Sequence, residues 1–96
     1  MLITTIELAR LLGHEHGKSD MDHIVACPYG IEKLRTAYAT LGRAQLVSGL
    51  EKSAEHRAIG VAIPDQSAQK EAYIGGYACA AIDRIEVLVF TDPSEW

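Results

Sequence analysis

Apolar positions open the chain at a helical spacing. Ile6, Leu8, Ala9, Leu11 and Leu12 follow Thr4-Thr5-Ile6-Glu7, the order in which a Thr hydroxyl and a Glu carboxylate cap the free N–H groups of a helix start. Gly13 then offers a residue that readily takes the left-handed conformation ending a helix, so a first helix is predicted over about 5–12. Ser19 starts a second, with Asp20 and Asp22 favourable beside its positive end. Met21, Ile24 and Val25 recur at helical spacing and Pro28 stops the run, because the residue before a proline avoids the helical region. A longer helix is predicted over about 30–50, where Ile31, Leu34, Tyr38, Leu41 and Gln45 form a stripe and Gly42 and Gly49 weaken it.

The period then changes. Ile59, Val61 and Ile63 alternate with small residues, Pro64-Asp65-Gln66-Ser67 reads as a turn, and Glu71 to Ile74 returns as a second strand. The pattern predicts a β-hairpin within residues 57–75, broken by Gly75-Gly76. Ala78, Ala81, Ile82, Ile85 and Leu88 suit a final helix, although the β-branched stretch at Val87 also reads as a strand, and Thr91 to Trp96 is expected to fray. The expected architecture is α+β: one small winged-helix-like domain over 1–96, with three N-terminal helices, a β-hairpin and a C-terminal helix. Its expected core is Ile6, Leu8, Leu12, Leu34, Tyr38, Leu41, Ile59, Val61, Ile82 and Ile85.

Composition narrows the function classes. Ninety-six residues make one domain and exclude the large nucleotide-binding folds. Thirteen acids against nine Lys and Arg give a net charge of −4, so the whole chain is repelled by a polyanion at long range. The charge is uneven: residues 31–60 hold five bases and three acids, and residues 61–96 hold six acids and two bases. No apolar run reaches the roughly 20 residues of a spanning helix. The start lacks the basic region of a signal peptide, and Cys27 and Cys79 read as two reduced, buried thiols, so a cytoplasmic protein is expected.

Candidate chemistry is thin. Gly13-His14-Glu15-His16-Gly17-Lys18-Ser19 looks like a phosphate loop, but three residues separate its glycines where that loop needs four, and no strand precedes it. His14, His16, His23 and Cys27 carry zinc-ligand chemistry without the paired spacing of known sites. Cys79 lies among small residues with no histidine or acid tied to it. The expectation is a protein without enzymatic activity, bound metal or cofactor.

The segment Thr5-Ile6-Glu7-Leu8-Ala9-Arg10-Leu11-Leu12-Gly13-His14-Glu15-His16 resembles the N-terminus of phage regulatory proteins of the Rha family. The stretch Gln69-Lys70-Glu71-Ala72-Tyr73-Ile74 is similar to that family's hairpin. The resemblance implies a helix-turn-helix fold of phage type. Where the family carries basic residues in the second helix, this chain has Asp20 and Asp22, which would meet phosphates with the wrong sign. Two classes follow. The first is a phage or mobile-element inhibitor of a host protein, of the anti-CRISPR or antirepressor kind, which competes for a nucleic-acid site and meets its partner through Asp20, Asp22, Glu71 and Tyr73. The second is a DNA-binding transcriptional regulator using Lys33, Arg35 and Arg43. An apolar face left on a domain this small also leaves homodimerisation open.

Overall fold

The computed structural model describes residues 5–61, 63 and 68–90, and these form three helices: α1 (Ile6–Ala26), α2 (Gly30–Ile59) and α3 (Ala68–Phe90). Among the described residues there is no strand, so the α+β, winged-helix architecture expected from the periodicity and from the resemblance is corrected to an all-helical one. Ile59 ends α2 and is 79% exposed. Val61 and Ile63 follow a turn whose N–H groups return to Ala58 and Val61, and both pack as single side chains on the end of the bundle. Glu71 to Ile74 belongs to α3. A short apolar run fits strand and helix alike, and here Ala72, Tyr73, Gly76, Tyr77 and Ala80 bury one helical face. The expected turn at 64–67 and the tail from Thr91 lie outside the described residues.

The two short N-terminal helices are one. Thr5 caps α1, its hydroxyl accepting the Leu8 N–H at 3.2 Å, so the cap falls one residue after the Thr4–Glu7 frame of the expected capping box, with Leu8 rather than Glu7 three residues on. Gly13 does not end the helix. Pro28 does its expected work: Cys27 is extended at φ −76°, ψ 151° and terminates α1. The third helix starts where expected, at Gly30, but continues to Ile59 across a break at Gly42. Gly42 has φ 79° and ψ 166°, a region essentially reserved for glycine, so α2 is two helical pieces meeting at one residue.

Paired contacts fix the topology. Tyr73 and Tyr77 of α3 meet Gly13 and Gly17 of α1 in rising order, so α1 and α3 run parallel. Arg35 reaches Leu88 while Arg57 reaches Asp20, so α2 runs antiparallel to both. The α1–α3 contact is the most extensive and α1 touches α2 only slightly. It is also the closest. A Cβ on Gly13, Gly17 or Gly76 would overlap the carbonyl oxygens of Tyr73, Tyr77 or Arg10 respectively, so only glycine permits this approach. The Gly13–Gly17 spacing that mimics a phosphate loop is thus a packing device: two glycines one turn apart, with Ala9 before them and Met21 after, present a low ridge to α3.

Two clusters make the core. One gathers Met21, Leu34, Leu50, Ala78, Ala81, Ile82, Ile85 and Leu88; the other holds Ala9, Ala54, Ala58, Ala72, Tyr73 and Tyr77. Of the expected core, Leu34, Ile82 and Ile85 are buried, and Leu12, Tyr38 and Val61 pack partly. Ile6, Leu8, Leu41 and Ile59 are exposed, which corrects the expectation for them. Small residues take their place, because helices held at glycine distance leave room for alanine rather than leucine.

Candidate functional site

Where α1 and α3 meet the C-terminal half of α2, a polar ladder runs through the bundle. His16 and Asp20 stand one turn apart on α1, and Tyr73 and Tyr77 one turn apart on α3. The Tyr73 hydroxyl lies 2.6 Å from His16 Nδ1, and the Tyr77 hydroxyl donates to Asp20 Oδ2 at 2.5 Å. Arg57 of α2 adds a charge contact to Asp20 at 3.4 Å. Burial and then the Arg57 charge lower the His16 pKa, so the neutral imidazole is favoured, and its Nδ1 and the Tyr73 hydroxyl share one hydrogen bond. Burial pushes the Tyr73 hydroxyl up to about 12. Tyr77 rises as well, through burial first and then its hydrogen bond to Asp20. The ladder satisfies both buried hydroxyls and locks the register of the three helices.

A second set of contacts spans the break in α2. Glu86 of α3 accepts from the Tyr38 hydroxyl at 2.9 Å and pairs with Arg43 Nε at 3.3 Å, so one carboxylate holds both sides of Gly42. The hydrogen bond to Glu86 raises the Tyr38 pKa. Arg35 donates Nε and Nη2 to the Leu88 carbonyl at 3.3 and 3.2 Å, occupying one of the acceptors that a helix end leaves without a partner. Arg84 Nε lies 3.1 Å from Asp22 Oδ1, a charge contact without hydrogen-bond alignment.

These contacts place the residues singled out in the sequence. Asp20 and Tyr73 come together in the ladder, with Tyr73 fully buried. Asp22 is paired with Arg84 near the end of α1, and Glu71 is exposed in the first turn of α3. The four do not share one surface. Of the basic trio, Lys33 is exposed on α2, while Arg35 and Arg43 are bonded to the last turns of α3. His16 faces Tyr73, and His14 borders a concavity with Glu7, Arg10 and Leu11 on another side of α1. The Cys27 thiol donates to the His23 carbonyl. Among the described residues no group of three or more His, Cys, Asp or Glu side chains is gathered around a point that could hold a metal ion. Both cysteines are exposed rather than buried as expected.

Sequence reasoning missed the outer face of the first piece of α2. Tyr29, in the turn before α2, has φ 62° and is 73% exposed. A left-handed backbone is uncommon for a large side chain and costs on the order of 1–2 kcal/mol. The tight turn imposes it, since Gly30 packs against the Ile24 carbonyl so closely that a Cβ there would overlap it. Tyr29 and Leu41, the latter 46% exposed, frame a shallow concavity of about 560 Å³ whose remaining lining is Glu32, Lys33, Thr36, Ala37 and Thr40. The only local signal was the Cys27-Pro28-Tyr29-Gly30 turn, in which Gly30 is the residue expected to take a positive φ.

The chain matches no protein-family model, no curated protein and no solved structure. Among the described residues, no helix is long and apolar enough to cross a membrane.

Proposed function

We propose that the protein is a non-enzymatic interaction module that captures a partner protein on the outer face of α2. Tyr29 carries this reading: a large aromatic is held in a strained backbone conformation and presented to solvent beside an apolar concavity. Tyrosine is among the residues that dominate binding energy when an interface covers them, and backbone strain concentrates at functional positions. Leu41 closes the other end of the concavity, with Glu32 and Lys33 supplying a polar rim. Inhibition of a host protein by occupying its surface, the reading that the net acidic charge favours over DNA binding, requires only such a face.

Charge weighs against the DNA-binding alternative. The chain is net acidic, and the guanidiniums of Arg35 and Arg43 are committed to Leu88 and Glu86.

The test compares wild type with Tyr29→Asn, because asparagine tolerates the left-handed region. The variant should be more stable by about 1 kcal/mol. In pull-downs from the source organism it should lose, by at least about tenfold, a partner that wild type retains, since a central aromatic is worth about 2 kcal/mol or more. Equal retention by the variant refutes the reading. So does tight, salt-sensitive binding of wild type to random duplex DNA that is weakened by Lys33→Ala.

A further inference from the structure

Because α1 and α3 run parallel and α2 antiparallel, one end of the bundle gathers the last turns of α1 and α3 and the first turns of α2. Two contacts fix how α3 stops there. The Leu88 carbonyl is held by Arg35, and the Phe90 ring meets Tyr38 edge-on with centroids 5.7 Å apart. Both partners belong to the first piece of α2, so α3 delivers the chain beside that piece. A concavity of about 490 Å³ opens at the same place. Val25 and Cys27 line it from the end of α1, Tyr29 from the turn, and Ile31, Glu32 and Arg35 from α2. Val25 and Ile31 are half-buried, so apolar parts of its wall still meet solvent.

Six residues follow Phe90: Thr91-Asp92-Pro93-Ser94-Glu95-Trp96. They lie outside the described residues, and their chemistry and point of attachment match the concavity. Asp92 precedes a proline, which disfavours helix at Asp92, so the chain turns away from the α3 axis. Asp92 is also the first acid past α3, four residues after the Leu88 carbonyl that Arg35 holds. Arg35 is the one cation among the lining residues, and Glu32 at the rim opposes any acid carried further. Charge therefore favours the register with Asp92 at Arg35 and an uncharged side chain beyond it. Trp96 is the only tryptophan of the chain, and an aromatic of this size withdraws about 150–250 Å² from water when buried. Reach is ample. Six extended residues span up to about 20 Å, whereas Arg35 and Ile31 stand only about 6 Å apart along α2. So short a tether gives an effective concentration of about millimolar, and a contact too weak for a free peptide is still populated.

We propose that Thr91–Trp96 folds back over the α1–α2 turn as an intramolecular strap, with the Asp92 carboxylate on Arg35 and the Trp96 indole in the concavity against Val25 and Ile31. The strap takes the place of the fraying expected of this segment and ties the ends of all three helices together. Tyr29 and Glu32 border both this concavity and the one on the outer face of α2. The strap occupies only the first, so the partner reading stands or falls separately.

As the sole tryptophan, Trp96 reports its own surroundings in the full chain. Its fluorescence should be shielded from iodide relative to the same chain unfolded in urea, and the shielding should not change with protein concentration. Nuclear Overhauser contacts should join the indole to the methyls of Val25 and Ile31. Ile31→Asp places a carboxylate in the wall, at a helix start that tolerates it, and should abolish the shielding. Asp92→Lys should shift the strap toward its open form by about fivefold or more, since repulsion replaces an exposed pair. It lies outside the helices, and circular dichroism verifies that both variants are folded. Equal quenching of the native and urea-unfolded chain overturns the proposal. So does shielding that either variant leaves intact, or indole contacts to another part of the chain. Shielding lost on dilution places the segment on a second molecule and overturns it too.

Discussion

Gly75 and Gly76 adjoin in α3, and the same added methyl should move stability in opposite directions at the two positions. Gly75 is exposed, and a Cβ there meets nothing within 4 Å. Gly75→Ala should therefore gain the helix-propensity difference, about 1 kcal/mol. Gly76→Ala gains the same amount but drives its Cβ into the Arg10 carbonyl and to 3.2 Å from the His14 nitrogen. Those are backbone atoms inside a continuous helix and cannot swing aside, so α1 and α3 must separate. Overpacking of this kind costs about 1–3 kcal/mol. Separation also stretches the Tyr73–His16 and Tyr77–Asp20 bonds, and one buried hydroxyl left without a partner costs about 1–3 kcal/mol more. Less the propensity gain, Gly76→Ala should destabilise by roughly 3 kcal/mol, within a range of about 1–5. Urea titration followed by circular dichroism, at dilute protein and raised salt, reads both variants with an unchanged m-value. The midpoint should rise for Gly75→Ala and fall for Gly76→Ala. Gly13→Ala and Gly17→Ala should follow Gly76→Ala. If Gly76→Ala stabilises as Gly75→Ala does, the glycine-mediated contact between α1 and α3 is wrong.

The break in α2 and the polar ladder supply the remaining predictions. Gly42→Ala should cost about 1–3 kcal/mol because φ 79° is strained for any side chain, whereas Gly49→Ala in the same helix, with open space around its Cβ, should gain about 1 kcal/mol; thermal melts showing equal shifts would remove the break. In alkali, the folded-state pKa of Tyr73 near 12 exceeds its ordinary value of 10.0, so its contribution is full below pH 10 and is lost as pH rises toward 12. Absorbance at about 295 nm should show the buried tyrosines ionising together with loss of helix, and ionisation of all four tyrosines near pH 10 with helix intact would contradict the ladder. In acid, the lowered pKa of His16 means that the unfolded chain binds its proton first. Stability should fall as pH drops from about 6.5 toward the lower folded value, and denaturant midpoints of His16→Gln should lack that slope.

The sequence by itself determined the helix ends that depend on local chemistry. Thr5 caps α1 through its own hydroxyl, and Pro28 ends it by acting on the residue before it. Gly30 opens α2 where the periodicity placed it. The buried Leu34, Ile82 and Ile85 were legible because large aliphatic residues at helical spacing have few other destinations. Asp20 and Tyr73 were singled out as interface residues, and the structure gives them partners within the chain, since nothing in a local window reveals that His16, Arg57 and Tyr77 arrive from three different helices. Tyr29 was passed over because its positive φ is imposed by the approach of Gly30 to Ile24. Only the tertiary structure decided the glycines. Gly13 reads as a helix stop and Gly76 as a strand breaker when each is weighed by its own backbone freedom. In the fold, the same missing Cβ lets a second helix come close, and those contacts keep the glycines helical. An absent side chain carries no local preference strong enough to reveal which use applies, so the arriving backbone settles it.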